Sequence, residues 1–134
     1  MVSNMALFVA DTHSLAWYFT GSGKLGTKAL RAFREASSGK TIIIVPTVVL
    51  AEIMDISEKK RIKVDYEELL NKIESSSNFE IYPLDIDVLK TARSITAIPE
   101  LHDRIIVATA KLLEARVLTR DEDVQKSGIV EAVW

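Results

Sequence analysis

The sequence predicts an α/β fold: a mainly parallel central sheet of four to five strands, sandwiched between helices in three layers. Three observations carry this. Short apolar β-type runs alternate with stretches of helical spacing along the whole chain. The first two runs are continuous apolar segments, as expected of strands covered on both faces. Each of the three prolines, Pro46, Pro83 and Pro99, falls at the edge of an element, where a missing N–H does little harm.

Taken in order, residues 6–10 (Ala-Leu-Phe-Val-Ala) are the first expected strand, and residues 41–45 (Thr-Ile-Ile-Ile-Val) a β-branched, uncharged second. Residues 79–82 and 116–119 supply the third and fourth, and 129–134 a weaker fifth. Between the first two, residues 27–36 set Ala29, Leu30 and Phe33 at helical spacing, with Lys28, Arg31 and Arg34 on other faces. Helices are expected over 47–60, 66–75, 85–95 and 103–114, with Asp85 and Asp103 as N-caps of the last two. A short helix over 122–126 follows Asp121. Residues 20–23 and 37–40 read as turns, and no repeat or linker divides the chain, so residues 1–134 are expected to form one domain. Right-handed crossovers would bring the carboxyl ends of the strands to one edge of the sheet, where ligands of open α/β sheets bind.

Composition narrows the chemistry. Among 134 residues, 48% are hydrophobic, enough for one continuous core, and there is no cysteine. Disulfide scaffolds, thiolate zinc sites and thiol catalysis are thereby excluded. The apolar run 5–10 is too short for a membrane span and lacks the basic flank of a signal peptide, so a soluble, cytoplasmic protein with no membrane partner is expected. Formal net charge is -2 and the sequence pI about 5.7, so any grip on nucleic acid must come from a local basic patch rather than bulk charge. Serine-nucleophile motifs, P-loops and dinucleotide fingerprints are absent.

Four acidic residues fall where that sheet edge should be. Asp11 ends the first strand in Val9-Ala10-Asp11-Thr12-His13. Glu52 follows the second strand by one to two helical turns and can lean back toward the edge. Asp103 shares a helix face with Ile106, Val107 and Ala110, and Asp121 follows the fourth strand in Leu118-Thr119-Arg120-Asp121. Each has a plainer reading. Asp11, Asp103 and Asp121 can be N-caps, and Glu52 can belong with Asp55 and Lys59 to a solvated stripe. Together they point to a metal centre, because carboxylates sharing a cleft repel unless a cation neutralises them. Hard oxygen donors without cysteine favour Mg²⁺ or Mn²⁺.

At these residues the sequence resembles the PIN-domain ribonucleases, and among them the VapC-type toxins of toxin–antitoxin pairs. The likeness runs through residues 9–17, then Val48-Val49-Leu50-Ala51-Glu52-Ile53, then residues 101–110, and finally Val117-Leu118-Thr119-Arg120-Asp121. It implies a metal-dependent endoribonuclease with Asp11, Glu52, Asp103 and Asp121 as catalytic and metal-binding residues and Mg²⁺ (or Mn²⁺) as cofactor. The implied products carry a 5′-phosphate and a 3′-hydroxyl. The implied partners are an RNA substrate, a cognate antitoxin and a second copy of the chain, as a homodimer. RNA processing outside a toxin pair, or a silent PIN-like binding module, stands as the alternative.

Several neighbours carry two readings. Thr12 and Thr119 either support the carboxylates or serve as cap and turn residues. Arg104 and Arg120 either hold RNA phosphates or form local ion pairs. His13 and His102 either reach the cleft or pack at the surface. Lys24, Lys28, Arg31 and Arg34 form a basic stretch that either tracks RNA or faces solvent. Trp17 and Tyr18 are expected in the core or an interface rather than as base-stacking platforms.

Overall fold

The strand of Ala6–Ala10, β1, lies at the centre of the sheet because nothing in it needs water, and Val9 and Ala10 are fully buried. The structure, a computed structural model, describes residues 5–134. Helices α1 (Thr12–Thr20) and α2 (Thr27–Ser37) lead to β2 (Thr41–Pro46). From there α3 (Thr47–Glu58) and α4 (Tyr66–Ser75) lead to β3 (Phe79–Tyr82). Then come α5 (Ile86–Ser94), α6 (Leu101–Leu113), β4 (Arg116–Leu118), α7 (Glu122–Ser127) and β5 (Ala132–Val133).

The five strands form one sheet in the order β3-β2-β1-β4-β5, and every pairing is parallel. The register sets Val9 opposite Ile44 on one side and Val117 on the other. Chain order runs outward from β1 through β2 to β3, then returns to β4 and β5. Right-handed crossovers therefore set α1–α4 on one face and α5–α7 on the other. There are two apolar clusters. The larger joins α1–α4 to β1, β2 and β4 around Leu15, Phe33, Ile43 and Ile53, and also takes in Ile106 and Ala110 of α6. The smaller joins α5, α6 and α7 through Val88, Ile105, Val107 and Val124. The direction of winding reverses between β1 and β4, which is where an open α/β sheet leaves a crevice.

Four expectations change. The fourth strand ends at Leu118 rather than at residue 119. The fifth strand spans only Ala132–Val133, because Ile129 and Val130 pack against the apolar clusters instead of pairing. Helix α3 stops at Glu58, and Lys60 takes a left-handed turn (φ 55°). Asp103 is not an N-cap. Helix α6 begins at Leu101, and the Glu100 side chain accepts the Asp103 N–H at 2.7 Å. Asp85 caps α5 as expected.

Candidate active site

Asp11 and Thr119 stand side by side at the carboxyl ends of adjacent strands, one step beyond the Ala10–Leu118 pair. The Asp11 N–H donates to the Leu118 carbonyl at 3.2 Å, which carries its side chain just past the sheet edge. One carboxylate oxygen, Oδ1, accepts the Ser14 N–H at 2.8 Å, so Asp11 caps α1 as well as facing the crevice. Burial pushes its carboxyl above the usual range, while the Thr119 hydroxyl, Ser14 and His13 act in the opposite direction. Asp121 is built alike: it caps α7 through the Val124 N–H at 3.0 Å, and its own N–H donates to Thr119 Oγ1 at 3.0 Å. Buried Thr119 thus ties the two strand ends together.

Glu52 arrives from α3. Its Oε1 accepts the buried Thr12 hydroxyl at 2.6 Å, and its Oε2 lies 3.3 Å from His102 Nδ1. It is not part of a solvated stripe; Asp55 and Lys59 pair at 2.9 Å on the exposed side without it. Asp103 arrives from the first turn of α6. With Glu100 doing the capping, its carboxylate is left to enter the cleft. Burial, then the neighbouring Asp121, Glu100, Asp11 and Glu52, push its carboxyl up to about 7. All four predicted carboxylates line one cavity of about 480 Å³, together with Thr12, His13, Glu100, Arg120 and Glu122.

One contributor was not foreseen: Glu100 adds a further carboxylate. Of the two readings of His102 the structure favours the cleft, where its Nδ1 bridges Glu100 (3.2 Å) to Glu52 (3.3 Å). A Glu cap is rare enough that only the three-residue step from Glu100 to Asp103 could have signalled it. The arginines separate. Arg104 does not line the cleft; its Nε and Nη2 donate to the Ala92 carbonyl at 3.3 and 3.1 Å, closing the end of α5. Arg120 does line it, with its guanidinium 4.7 Å over the Trp17 ring. The basic stretch also divides: Lys24 flanks the cleft, whereas Arg31 and Arg34 line a separate cavity on α2. Trp17 is buried against His13 and Trp134, and Tyr18 stacks on Phe33 at 4.2 Å, so both are packing residues.

The donor set consists of hard oxygens, and among the described residues no lysine or arginine pairs with Asp11, Glu52, Asp103 or Asp121. That chemistry fits a divalent cation. As the side chains stand, no three carboxylate or imidazole groups among the described residues are gathered closely enough to enclose an ion.

The family model for the PIN domain matches residues 8–129, a span that takes in all four carboxylates. The chain belongs to the PIN-domain family. No curated protein matches it in sequence. In fold, this PIN domain is similar to VapBC2 from Rickettsia felis, solved bound to a DNA fragment of its promoter (TM-score 0.70, 15% identity, covering 94% of this chain and 96% of that one). It is also similar to VapC20 from Mycobacterium tuberculosis, a sarcin–ricin loop cleaving toxin (TM-score 0.67, 18% identity, 96% and 100% covered). A third likeness is to FitAcB from Neisseria gonorrhoeae (TM-score 0.65, 17% identity, 93% and 95% covered). At such identities the likeness is one of fold.

Proposed function

We propose that this PIN domain is a divalent-metal-dependent endoribonuclease and the toxin of a toxin–antitoxin pair. The observation that carries the reading is the cleft at the β1/β4 reversal. There Asp11, Glu52, Asp103 and Asp121 face one cavity, and among the described residues no lysine or arginine forms an ion pair with any of them. When bound, Mg²⁺ or Mn²⁺ would polarise a phosphodiester oxygen and make the attacking water more acidic. Asp11, Glu52 and Asp103 are the residues to hold it, with Asp121 completing the shell.

The chain's own part is positioning. The sheet edge fixes Asp11 and Asp121, and Thr119 lies between them. The Thr12 hydroxyl aims the Glu52 carboxylate into the cleft. In-line attack of water on phosphorus breaks the bond to the 3′ oxygen, leaving a 5′-phosphate and a 3′-hydroxyl. A cleft carboxylate accepts the water's proton. The fold likeness to toxin–antitoxin proteins supports an antitoxin as one partner. The proposal extends to a second copy of the chain, as a homodimer, and to a cytoplasmic setting. Among the described residues, no helix is long and apolar enough to cross a membrane.

The test is to sequence RNA ends after expressing the wild type and Asp11→Asn. New 5′-phosphate ends should appear with the wild type alone, and purified protein should need Mg²⁺ or Mn²⁺ to make them. Equal cleavage by both proteins, or undiminished cleavage in excess chelator, would defeat the reading.

A further inference from the structure

A second cavity, of about 590 Å³, opens beside the acidic cleft and shares His13 and Glu52 with it. Its character is different. The floor includes Ala51, Ile56 and Ile62, and the rim carries Lys24 and Arg61. Arg120 lines the acidic cleft, and its guanidinium is held over Trp17, which lines the second cavity; Lys24 Nζ lies 5.8 Å from the same ring. Among the described residues, none of these three cations has a carboxylate within ion-pair distance. Asp55, which also borders the groove, is already paired with Lys59.

Three unpaired cations on one flank of a protein of net charge -2 are a local basic patch of the kind an acidic nuclease needs. The carboxylate cluster repels a polyanion, and a metal ion can offset that only at the phosphate being cut. Flanking phosphates require fixed positive groups. The apolar floor suits unstacked bases and riboses, which favours a single strand.

We propose that single-stranded RNA leaves the acidic cleft along this groove, with Lys24, Arg61 and Arg120 each holding a backbone phosphate. The proposal rests on the ribonuclease reading given above. Each phosphate contact to a single strand adds about 0.7 to the salt slope, which at 0.1 M salt is about fivefold in affinity, or about a hundredfold for three.

The experiment measures Mn²⁺-dependent cleavage of a short fluorescein-labelled single-stranded RNA of mixed sequence over a range of salt concentrations. It compares the wild type, a Lys24→Ala/Arg61→Ala/Arg120→Ala variant, and a control of equal charge, Lys72→Ala/Lys90→Ala/Lys111→Ala, which borders neither cavity. The groove variant should lose about a hundredfold in kcat/KM, chiefly through KM, and its salt slope should shrink by about 2. The control should follow the wild type. The single variants Lys24→Ala and Arg61→Ala, each down about fivefold with unchanged melting temperature, separate phosphate contact from misfolding. A folded groove variant with wild-type KM and slope, or an equal loss in the control, overturns the proposal. So does a groove variant that cleaves normally but no longer binds an acidic peptide, which assigns the groove to a protein. If the wild type cleaves no RNA, the ribonuclease reading falls first and takes this one with it.

Discussion

Asp103 brings a carboxylate into a cleft already occupied by Asp121, Glu100, Asp11 and Glu52, and its carboxyl is pushed up to about 7. A folded-state pKa above the unfolded value of 3.8 means that the native state binds the proton more tightly. Stability is therefore lost as pH rises from about 4 to about 7, and the cost persists above that. Asp103→Asn removes the charge and should melt higher than the metal-free wild type at neutral pH. The gap should close below pH 4, as read by thermal melts in chelator. A constant gap across that range would show that the carboxylate is not under strain. Asp11, Glu52 and Asp121 were legible in the sequence because each sits at or near the carboxyl end of an apolar strand. The choice between cap and site was not: Asp11 and Asp121 each cap a helix through one oxygen and also line the cleft.

At the scale of elements, α6 owes its placement to contacts that no local pattern announces. Its first turn is capped by Glu100, a residue type with little capping preference, so the sequence suggested a start at Asp103. Arg104, beside the predicted site, resembled a phosphate ligand. In the fold its guanidinium donates twice to the Ala92 carbonyl across 12 positions of chain. Arg104→Ala should then lower stability by about 1.5–3 kcal/mol, the range for a hydrogen bond from a charged donor. Denaturant melts read that loss, and kcat/KM per folded molecule should not fall. A variant as stable as the wild type but poor in cleavage would return Arg104 to the RNA. The strands were more legible: 6–10 and 79–82 match β1 and β3 residue for residue. The fourth stops one residue short, at Leu118, and the fifth shrank to Ala132–Val133, with Ile129 and Val130 packed into the core.

For the molecule as a whole, β5 and Trp134 close the sheet against the entrance of α2. The Lys28 N–H donates to the Trp134 carbonyl at 3.1 Å, and the Trp134 indole meets Trp17 edge-on at 5.9 Å. Gly26 makes room for this: a Cβ there would lie 2.6 Å from both the Trp134 carbonyl carbon and the indole Cδ1. Gly26→Ala should cost about 1–3 kcal/mol by overpacking, seen as a lower melting temperature; an unchanged melt would mean that Trp134 is not held there. The parallel, doubly wound plan follows from strands buried on both faces. The pairing of β1 with β4 emerges only when the whole sheet is assembled, and it is what sets Asp11 beside Asp121. The account rests on that meeting, and Mn²⁺ titration followed by thermal melting tests it most directly. The wild type should gain about 2.7 kcal/mol at a hundred times its Kd, and Asp11→Asn should gain little at the same concentrations. A wild type indifferent to Mn²⁺, or a variant stabilised just as much, would contradict the claim that these carboxylates hold a divalent ion.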